Sequence, residues 1–244
     1  MAKGDDLNIN IEEMAKAGLH LGHKTSKIHP KMEPYLSGRR NSIHIINLEE
    51  TAKKLGETLN FIRELILNGK IILIVGTKIQ IKNLVKDMAI ECGLPYVNER
   101  WLGGTFTNFE IIKKRIDNLK ELENKKSEGG LEKYTKKERA IFDKQIHDAE
   151  IKFGGLKDLE RLPDAILVLD MKKDILSVKE AKIKGITVIG IADTNVDPTL
   201  ANLVIPANDD AVTSVKYILE KSKEVILKAK KEAESKKQET KKDQ

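Results

Sequence analysis

The 244-residue chain contains one cysteine, one tryptophan and only 4% aromatic residues. Because a single thiol can form neither an intramolecular disulfide nor a thiolate metal site, the fold must depend on its apolar core. Cys92 lies among apolar residues with helical periodicity, which predicts a buried, unreactive thiol in a reducing compartment. With so few aromatic residues, we expect isoleucine, leucine and valine to fill the core.

Long apolar runs are also missing. The longest aliphatic runs, at 71–75 and 165–169, have five residues each, whereas a membrane-spanning helix needs roughly 18 or more. The first residues carry no apolar run of the kind that follows the charged start of a signal peptide. The sequence therefore predicts a soluble protein, located by default in the cytoplasm.

Positive charge is concentrated in one segment. The chain has 44 Lys and Arg against 38 Asp and Glu, a net charge of +6. Residues 18–46 hold five of these cations against one acid, Glu33, so this segment carries +4 and the other 215 residues only +2. Its glycines allow close backbone approach, and Tyr35 offers a stacking surface. We expect a phosphate-binding surface here, although a solvated loop that is basic by chance is an alternative.

Short β-type runs alternate with segments of helical periodicity. The runs are at 42–46, 71–75, 95–97, 165–169, 186–191 and 203–205. Two of them, 71–75 and 165–169, are apolar throughout, as in strands that are covered by helices on both faces of a parallel sheet. We therefore predict an α/β fold with a doubly wound parallel sheet, flavodoxin-like or Rossmann-like, flanked by helices. Segment 18–40, rich in glycine, histidine and proline, is expected to be irregular.

One interval interrupts this alternation. Residues 105–161 show no strand pattern and are densely charged. Thr107 and Glu110 have the spacing of a capping box that opens one helix, and a second helix is expected from about Thr135. Narrow apolar seams on both predict an antiparallel coiled-coil hairpin inserted at 105–161 into an α/β domain formed by 1–104 and 162–227. The charged tail, 228–244, is predicted to be disordered because it can bury too little apolar surface.

An enzyme is the main alternative class. Lys78, Asp170 and Asp193 follow predicted strands, at the edge where such sheets bind ligands. However, no glycine-rich phosphate loop follows any strand, and aspartates at strand ends also cap helices and shape turns. The non-enzymatic interpretation is favoured, and a nucleotide-binding protein that uses these three residues is the alternative.

Histidines cluster near the amino end. His20, His23, His29 and His44 lie within 25 residues. His20 and His23 could share a zinc ion only with further ligands, and the chain has no second cysteine. We therefore expect no cofactor, with zinc near His20 and His23 as the minor alternative.

A second cluster of chemically distinctive residues lies at 98–109, where the predicted hairpin begins. Trp101, Phe106 and Phe109 are expected to anchor the hairpin to the sheet, since large aromatic side chains usually dominate packing. Arg100 and Asn108 are candidate RNA contacts.

Several motifs together resemble the bacterial form of the ribosomal protein S2 family. They run in order along residues 9–227: GLHLGH at 18–23, PKMEPY at 30–35, RNSIHIINL at 40–48, RWLGGTFTNF at 100–109, GGLKD at 154–158, LPDA at 162–165, DTNVDP at 193–198 and IPANDD at 205–210. Jointly these motifs are specific to that family.

The resemblance implies a function. It implies a non-enzymatic structural constituent of the small (30S) ribosomal subunit that binds 16S rRNA, contacts neighbouring ribosomal proteins and helps to recruit the large mRNA-binding ribosomal protein S1 in translation. By resemblance, the basic segment and the hairpin with its root become the rRNA contacts. The predicted RNA-binding residues are Lys24, Lys27, Lys31, Tyr35, Arg39, Arg40, Asn41, Arg100, Asn108, Lys113 and Lys114.

Overall fold

The structure, a computed structural model, describes residues 9–131 and 134–242. Its helices are α1 (Ile11–Lys16), α2 (Leu48–Leu67), α3 (Lys82–Cys92), α4 (Phe109–Ser127), α5 (Lys136–Phe153), α6 (Ile175–Ile183) and α7 (Val212–Lys242). Its strands are β1 (Leu21–Lys24), β2 (Leu36–Arg40), β3 (Ile43–Ile46), β4 (Ile72–Val75), β5 (Tyr96–Val97), β6 (Ala165–Val168), β7 (Thr187–Ala192) and β8 (Leu203–Pro206). Short 3₁₀ helices lie at Pro30–Tyr35, Gly154–Leu156 and Pro198–Leu200.

Five strands form a parallel sheet in the order β5-β4-β6-β7-β8. Numbered along the chain within this sheet, the order is 2-1-3-4-5, which is the flavodoxin-like arrangement. The predicted α/β fold class is therefore confirmed. The runs at 71–75, 95–97, 165–169, 186–191 and 203–205 each match a strand of this sheet to within one residue at either end.

Helices cover both faces of this sheet. Along β4, Ile72 and Ile74 belong to a core shared with α2, α3 and α7. Leu73 and Val75, which point the opposite way, belong to a second core with Trp101, Phe106 and the apolar side of α6. This is why the strand is apolar at every position. Cys92 lies in the first core, where burial raises the pKa of its thiol, as expected of an unreactive cysteine.

The segment expected to be irregular forms part of a second sheet, and this prediction was wrong. Strands β1, β3 and β2 make a three-stranded antiparallel sheet in that order. The run at 42–46 is accordingly a strand of this small sheet and not of the parallel one. Its partners were missed because they carry glycines, cations and register shifts in place of regular apolar alternation.

Helices α4 and α5 follow one another and contact each other. Lys126 of α4 and Asp143 of α5 form an ion pair with 2.7 Å between Nζ and Oδ1. In the segment between the helices, the ring of Tyr134 meets that of Phe142 on α5 edge to face, with centroids 5.1 Å apart. On α4, Ile112, Ile116 and Leu119 are buried, as the seam predicts, whereas Ile111 is 47% exposed. Coiled-coil packing of this pair stays a prediction.

The capping box expected at Thr107 and Glu110 is wrong. Asn108 is the N-cap of α4 and makes no side-chain cap bond, and the Thr107 hydroxyl donates to Glu180. A buried acid from a distant helix outcompetes the local partner. A capping box does open α5, where Thr135 pairs with Glu138.

Helix α7 continues into the segment that the sequence predicts to be a disordered tail. Ala229 is fully buried, Lys230 donates to the carbonyl oxygens of Cys92 and Gly93, and Arg63 pairs with Glu232 at 2.9 Å. These contacts join α7 to α2 and to the end of α3, so the composition of 228–244 alone could not indicate them. Among the described helices, none combines the length and apolar composition needed to cross a bilayer.

Candidate nucleic-acid interface

On the small antiparallel sheet, two cations lie on either side of an isoleucine. Lys24 of β1 and Arg40 of β2 both pair with Ile43 of the central strand β3. Directly opposed residues in an antiparallel sheet point to the same face, so the three side chains lie side by side. At a strand spacing of about 4.8 Å, the backbones at Lys24 and Arg40 are about 10 Å apart. Both cations are exposed, and Ile43 is half-buried.

Two further exposed cations lie next to this row. Arg39 precedes Arg40 on β2 and pairs across the sheet with the buried His44, so its side chain leaves the sheet on the opposite side from Arg40. Lys27 lies in the exposed loop after β1. Within residues 9–131 and 134–242, no acidic side chain forms an ion pair with Lys24, Lys27, Arg39 or Arg40. We call these four residues the cationic face.

The β2–β3 hairpin carries part of the cationic face to its tip. Asn41 and Ser42 form the two-residue turn, with φ of 48° and 62°, and both are exposed. Two consecutive residues at positive φ are typical of the tight hairpin turns that match the twist of a sheet. The turn holds Arg39 and Arg40 at its base, and the Asn41 amide is open to solvent.

Two of the predicted contacts are engaged by the protein itself. The Lys31 ammonium lies 2.8 Å from Asp197 and donates to the Thr199 hydroxyl at 2.9 Å. The hydrogen bond from Lys31 holds the pKa of Asp197 well below its usual range. Tyr35 is half-buried and packs against the second core. These two residues are therefore less available to a phosphate than the cationic face.

The basic segment is held against the loop that follows β7. The amide of His23 donates to the Thr194 hydroxyl at 3.0 Å, and the amide of His29 donates to the Thr194 carbonyl at 2.8 Å. Gly22 lies so close to Thr194 that a Cβ there would meet its methyl group. Sequence reasoning missed Thr194, because no local pattern indicates a partner more than 170 residues away.

His23 joins this attachment to the carboxyl edge of the parallel sheet. Its ring nitrogens lie 3.1 Å from Asp193 and 3.4 Å from Asp210. The hydrogen bond with Asp193 raises the pKa of His23, although partial burial opposes this change. An imidazolium, which donates from both nitrogens, suits this position between two carboxylates.

Lys78 forms ion pairs with three carboxylates at the same edge. Its Nζ lies 2.8 Å from Asp170, 2.7 Å from Asp209 and 2.8 Å from Asp210. Burial lowers the pKa of Lys78, but hydrogen bonds to the three acids outweigh it and the pKa is raised. Burial, with repulsion from Asp170, raises the pKa of Asp209 to about 7. Asp170 also accepts the amides of Lys172 and Lys173, which confirms the turn-shaping role expected of it.

This edge is where a flavodoxin-like sheet would hold a ligand. The switch in strand order falls between β4 and β6, and Lys78 and Asp170 follow those two strands. Their ion pair leaves a cavity of about 180 Å³ beside His23 and Asn195, smaller than the roughly 300–1,000 Å³ of small-molecule sites. The geometry therefore disfavours a nucleotide at this edge.

A metal could be held by a different set of residues from the expected one. His23, Asp193 and Asp210 offer ligand atoms within 4.8 Å of one another, whereas His20 lies outside this group. Metal binding would need one nitrogen of His23 free of its proton, so it competes with the imidazolium. Of the two histidines in the zinc alternative, only His23 belongs to this group, and zinc binding stays a prediction.

The predicted contacts at the hairpin root are all exposed. Arg100 precedes the buried Trp101, Asn108 caps α4, and Lys113 and Lys114 lie in its second turn. Lys113 donates to the Glu160 carbonyl at 3.3 Å. Trp101 and Phe106 are buried and meet edge to face with centroids 4.8 Å apart, which confirms their anchoring role.

A family comparison agrees with this arrangement. The family model described as ribosomal protein S2 matches residues 14–229. The match includes the small basic sheet, the whole parallel sheet and both hairpin helices. The chain belongs to the ribosomal protein S2 family, whose members are structural proteins of the small ribosomal subunit.

Proposed function

We propose that the protein binds small-subunit 16S rRNA through the cationic face and the hairpin root, as a structural component of ribosomes in the cytoplasm. The observation that carries this proposal is the row formed by Lys24, Ile43 and Arg40, in which both cations are exposed, with Lys27 and Arg39 beside it. None of these four cations has an ion-pair partner among the described residues, whereas Lys31 is already neutralised by Asp197.

The chemistry of this surface suits an RNA backbone. Arg39 and Arg40 can each donate two parallel hydrogen bonds to one phosphate, and Lys24 supplies a point charge on the other side of Ile43. The apolar Ile43 offers nothing that reads a base edge, but it can contact a ribose. We therefore expect recognition by phosphate, ribose and shape, as is common for folded RNA.

The hairpin root supplies the second contact. Arg100 and Asn108 are exposed in the segment that leads into α4, Lys114 is exposed in its second turn, and Lys113 can leave its single carbonyl partner at low cost. With the cationic face, about four to six phosphates would be neutralised. The logarithm of the affinity should then fall with the logarithm of the salt concentration, with a slope of roughly minus 3 to minus 5.

Filter binding to 16S rRNA over a range of salt concentrations tests this proposal. The variant K24Q/K27Q/R39Q/R40Q should flatten the slope by about 3. The matched control is K53Q/K86Q/K179Q/K184Q, which removes the same charge from exposed positions on α2, α3 and α6 and just after α6. This control should keep most of the salt slope. Equal slopes for the two variants would mean that only net charge matters, and the cationic face would not be the site.

We also propose that the protein supports recruitment of ribosomal protein S1. Half-exposed isoleucines on the hairpin support a protein contact there: Ile111 on α4 is 47% exposed, and Ile141 and Ile151 on α5 are 50% and 46% exposed. Subunits reconstituted with I141S/I151S should retain less S1 on a sucrose gradient than wild-type subunits. The control I90S/I183S alters isoleucines that are 60% and 72% exposed elsewhere; an equal loss of S1 in both would contradict the proposal.

A further inference from the structure

Glu180, in the middle of α6, binds the chain just before the hairpin begins. Its side chain is buried, with 4% of the residue exposed. One carboxylate oxygen accepts from the Trp101 indole at 3.3 Å and the Gly104 amide at 2.8 Å. The other accepts from the Phe106 amide at 2.9 Å and from the amide and hydroxyl of Thr107 at 3.2 and 3.3 Å.

This arrangement requires a carboxylate. Among the residues that the structure describes, no cation forms an ion pair with Glu180, so its charge is balanced only by hydrogen-bond donors. Burying a charge is costly unless several donors satisfy it. A carboxylate accepts only, and its two oxygens can take all five donors, whereas a glutamine would turn its NH₂ toward some of them.

The bound segment is where α4 starts. Residues 104–107 directly precede the N-cap Asn108, which makes no side-chain cap bond. The first amides of a helix need acceptors, and its positive end favours an anion. Glu180 does not accept from those amides; it accepts from the amides of Gly104, Phe106 and Thr107, and so fixes the backbone that leads into the positive end of α4. The contacts of Ile112, Ile116 and Phe153 with the second core are apolar, and the hydrophobic effect that drives them is less directional than hydrogen bonds.

Small errors at this point are magnified along the hairpin. Helix α4 has 19 residues and is therefore about 28 Å long. A tilt of about 10° at its root would move its far end by about 5 Å over that length. We propose that Glu180 is a positioning residue: it sets the direction of the hairpin relative to the cationic face, so that both can contact one folded RNA at once. This inference rests on the proposed RNA-binding function.

A distance measurement tests the positioning role without RNA. Spin labels at Lys53→Cys on α2 and Lys125→Cys near the end of α4, in a Cys92→Ala background, report the direction of the hairpin by pulsed electron resonance. With Glu180 intact we expect one narrow distance distribution. In E180Q the distribution should broaden or shift by several ångströms, whereas the control E160Q, at an exposed position, should leave it unchanged.

Binding to 16S rRNA supplies the functional readout. E180Q should weaken binding about tenfold although no cation is removed. The salt slope should become shallower only by the part that the hairpin contacts contribute. If E180Q does not fold, W101F/T107A takes its place, since it removes two of the five donors and keeps the carboxylate; the same shift, smaller in size, is expected.

The possible outcomes separate this inference from the proposed function. A lower melting temperature with unchanged distances and unchanged affinity would make Glu180 merely structural and overturn the inference. Changed distances with unchanged affinity would also overturn it, because direction would not matter to RNA. Failure of the wild-type protein to bind 16S rRNA would overturn the proposed function, whatever the distances show.

Discussion

The pair formed by Lys31 and Asp197 shows that the charge of a residue does not reveal its availability. Asp197 accepts from Lys31 and Thr199, and its pKa lies well below the usual value. A carboxyl whose pKa is depressed by folding adds stability above the unfolded pKa of about 3.9 and loses it as the pH falls through the folded pKa. At neutral pH this contribution is fully present.

We therefore expect D197N to be less stable than wild type at pH 7, by under about 1 kcal/mol because the pair is largely exposed. The difference should shrink as the pH falls below about 4, because the unfolded chain then binds a proton at Asp197 while the folded protein still holds it ionised. Urea unfolding at pH 7 and at several acidic values measures both. A difference that stays constant into strong acid would exclude the ion pair as its cause.

Gly22 allows β1 of the small sheet to approach Thr194, in the loop after β7 of the parallel sheet. A Cβ at Gly22 would meet the Thr194 methyl group and the His44 carbonyl oxygen. We expect G22A to cost about 1–3 kcal/mol of unfolding free energy, as overpacking does, and to weaken RNA binding by displacing Lys24. The control is G56A in α2, where a Cβ has room and alanine favours the helix. Equal stability of G22A and G56A would show that β1 does not depend on this contact.

At the scale of elements, the end of α7 tests whether the charged segment is part of the fold. Ala229 is buried, Lys230 binds the last carbonyls of α3, and Glu232 pairs with Arg63. Deleting residues 228–244 should therefore lower the unfolding free energy by about 1–3 kcal/mol, through lost burial and lost charged hydrogen bonds.

Deleting only residues 236–244 is the matched control, because it keeps all three contacts. Urea unfolding of both truncated chains measures the effect. If the longer deletion were as stable as the full chain, the prediction of a disordered tail at 228–244 would be supported.

At the scale of the whole molecule, two functions compete for one architecture. Flavodoxin-like sheets often bind small ligands at the edge that here holds Lys78, Asp170 and Asp209. We expect no change in melting temperature with nucleotides or sugar phosphates. A ligand at 100 times its dissociation constant would add about 2.7 kcal/mol, which a thermal-shift assay detects. A shift abolished by K78M, but not by the K24Q/K27Q/R39Q/R40Q variant, would support a ligand site at this edge.

Much of the fold could be predicted because its signals are local. Runs such as 71–75 and 165–169 are apolar at each position, which only a doubly covered strand requires. Strands β1 and β2 were not predicted, because pairing in that small sheet depends on register, bulges and a two-residue turn rather than on alternating apolar and polar residues. The cationic composition of 18–46 was visible, but which of its cations lie side by side was not.

The sequence by itself determined the alternation of helices with the strands of the parallel sheet, the apolar content of both cores and the excess of positive charge near the amino end, because each of these depends on neighbouring residues. Only the tertiary structure decided that Lys31 is neutralised by Asp197, that Lys24 and Arg40 flank Ile43, and that Glu180 holds the start of α4. The physical reason is that these contacts join residues far apart in the chain, where strand register and helix packing, and not local propensity, select the partner.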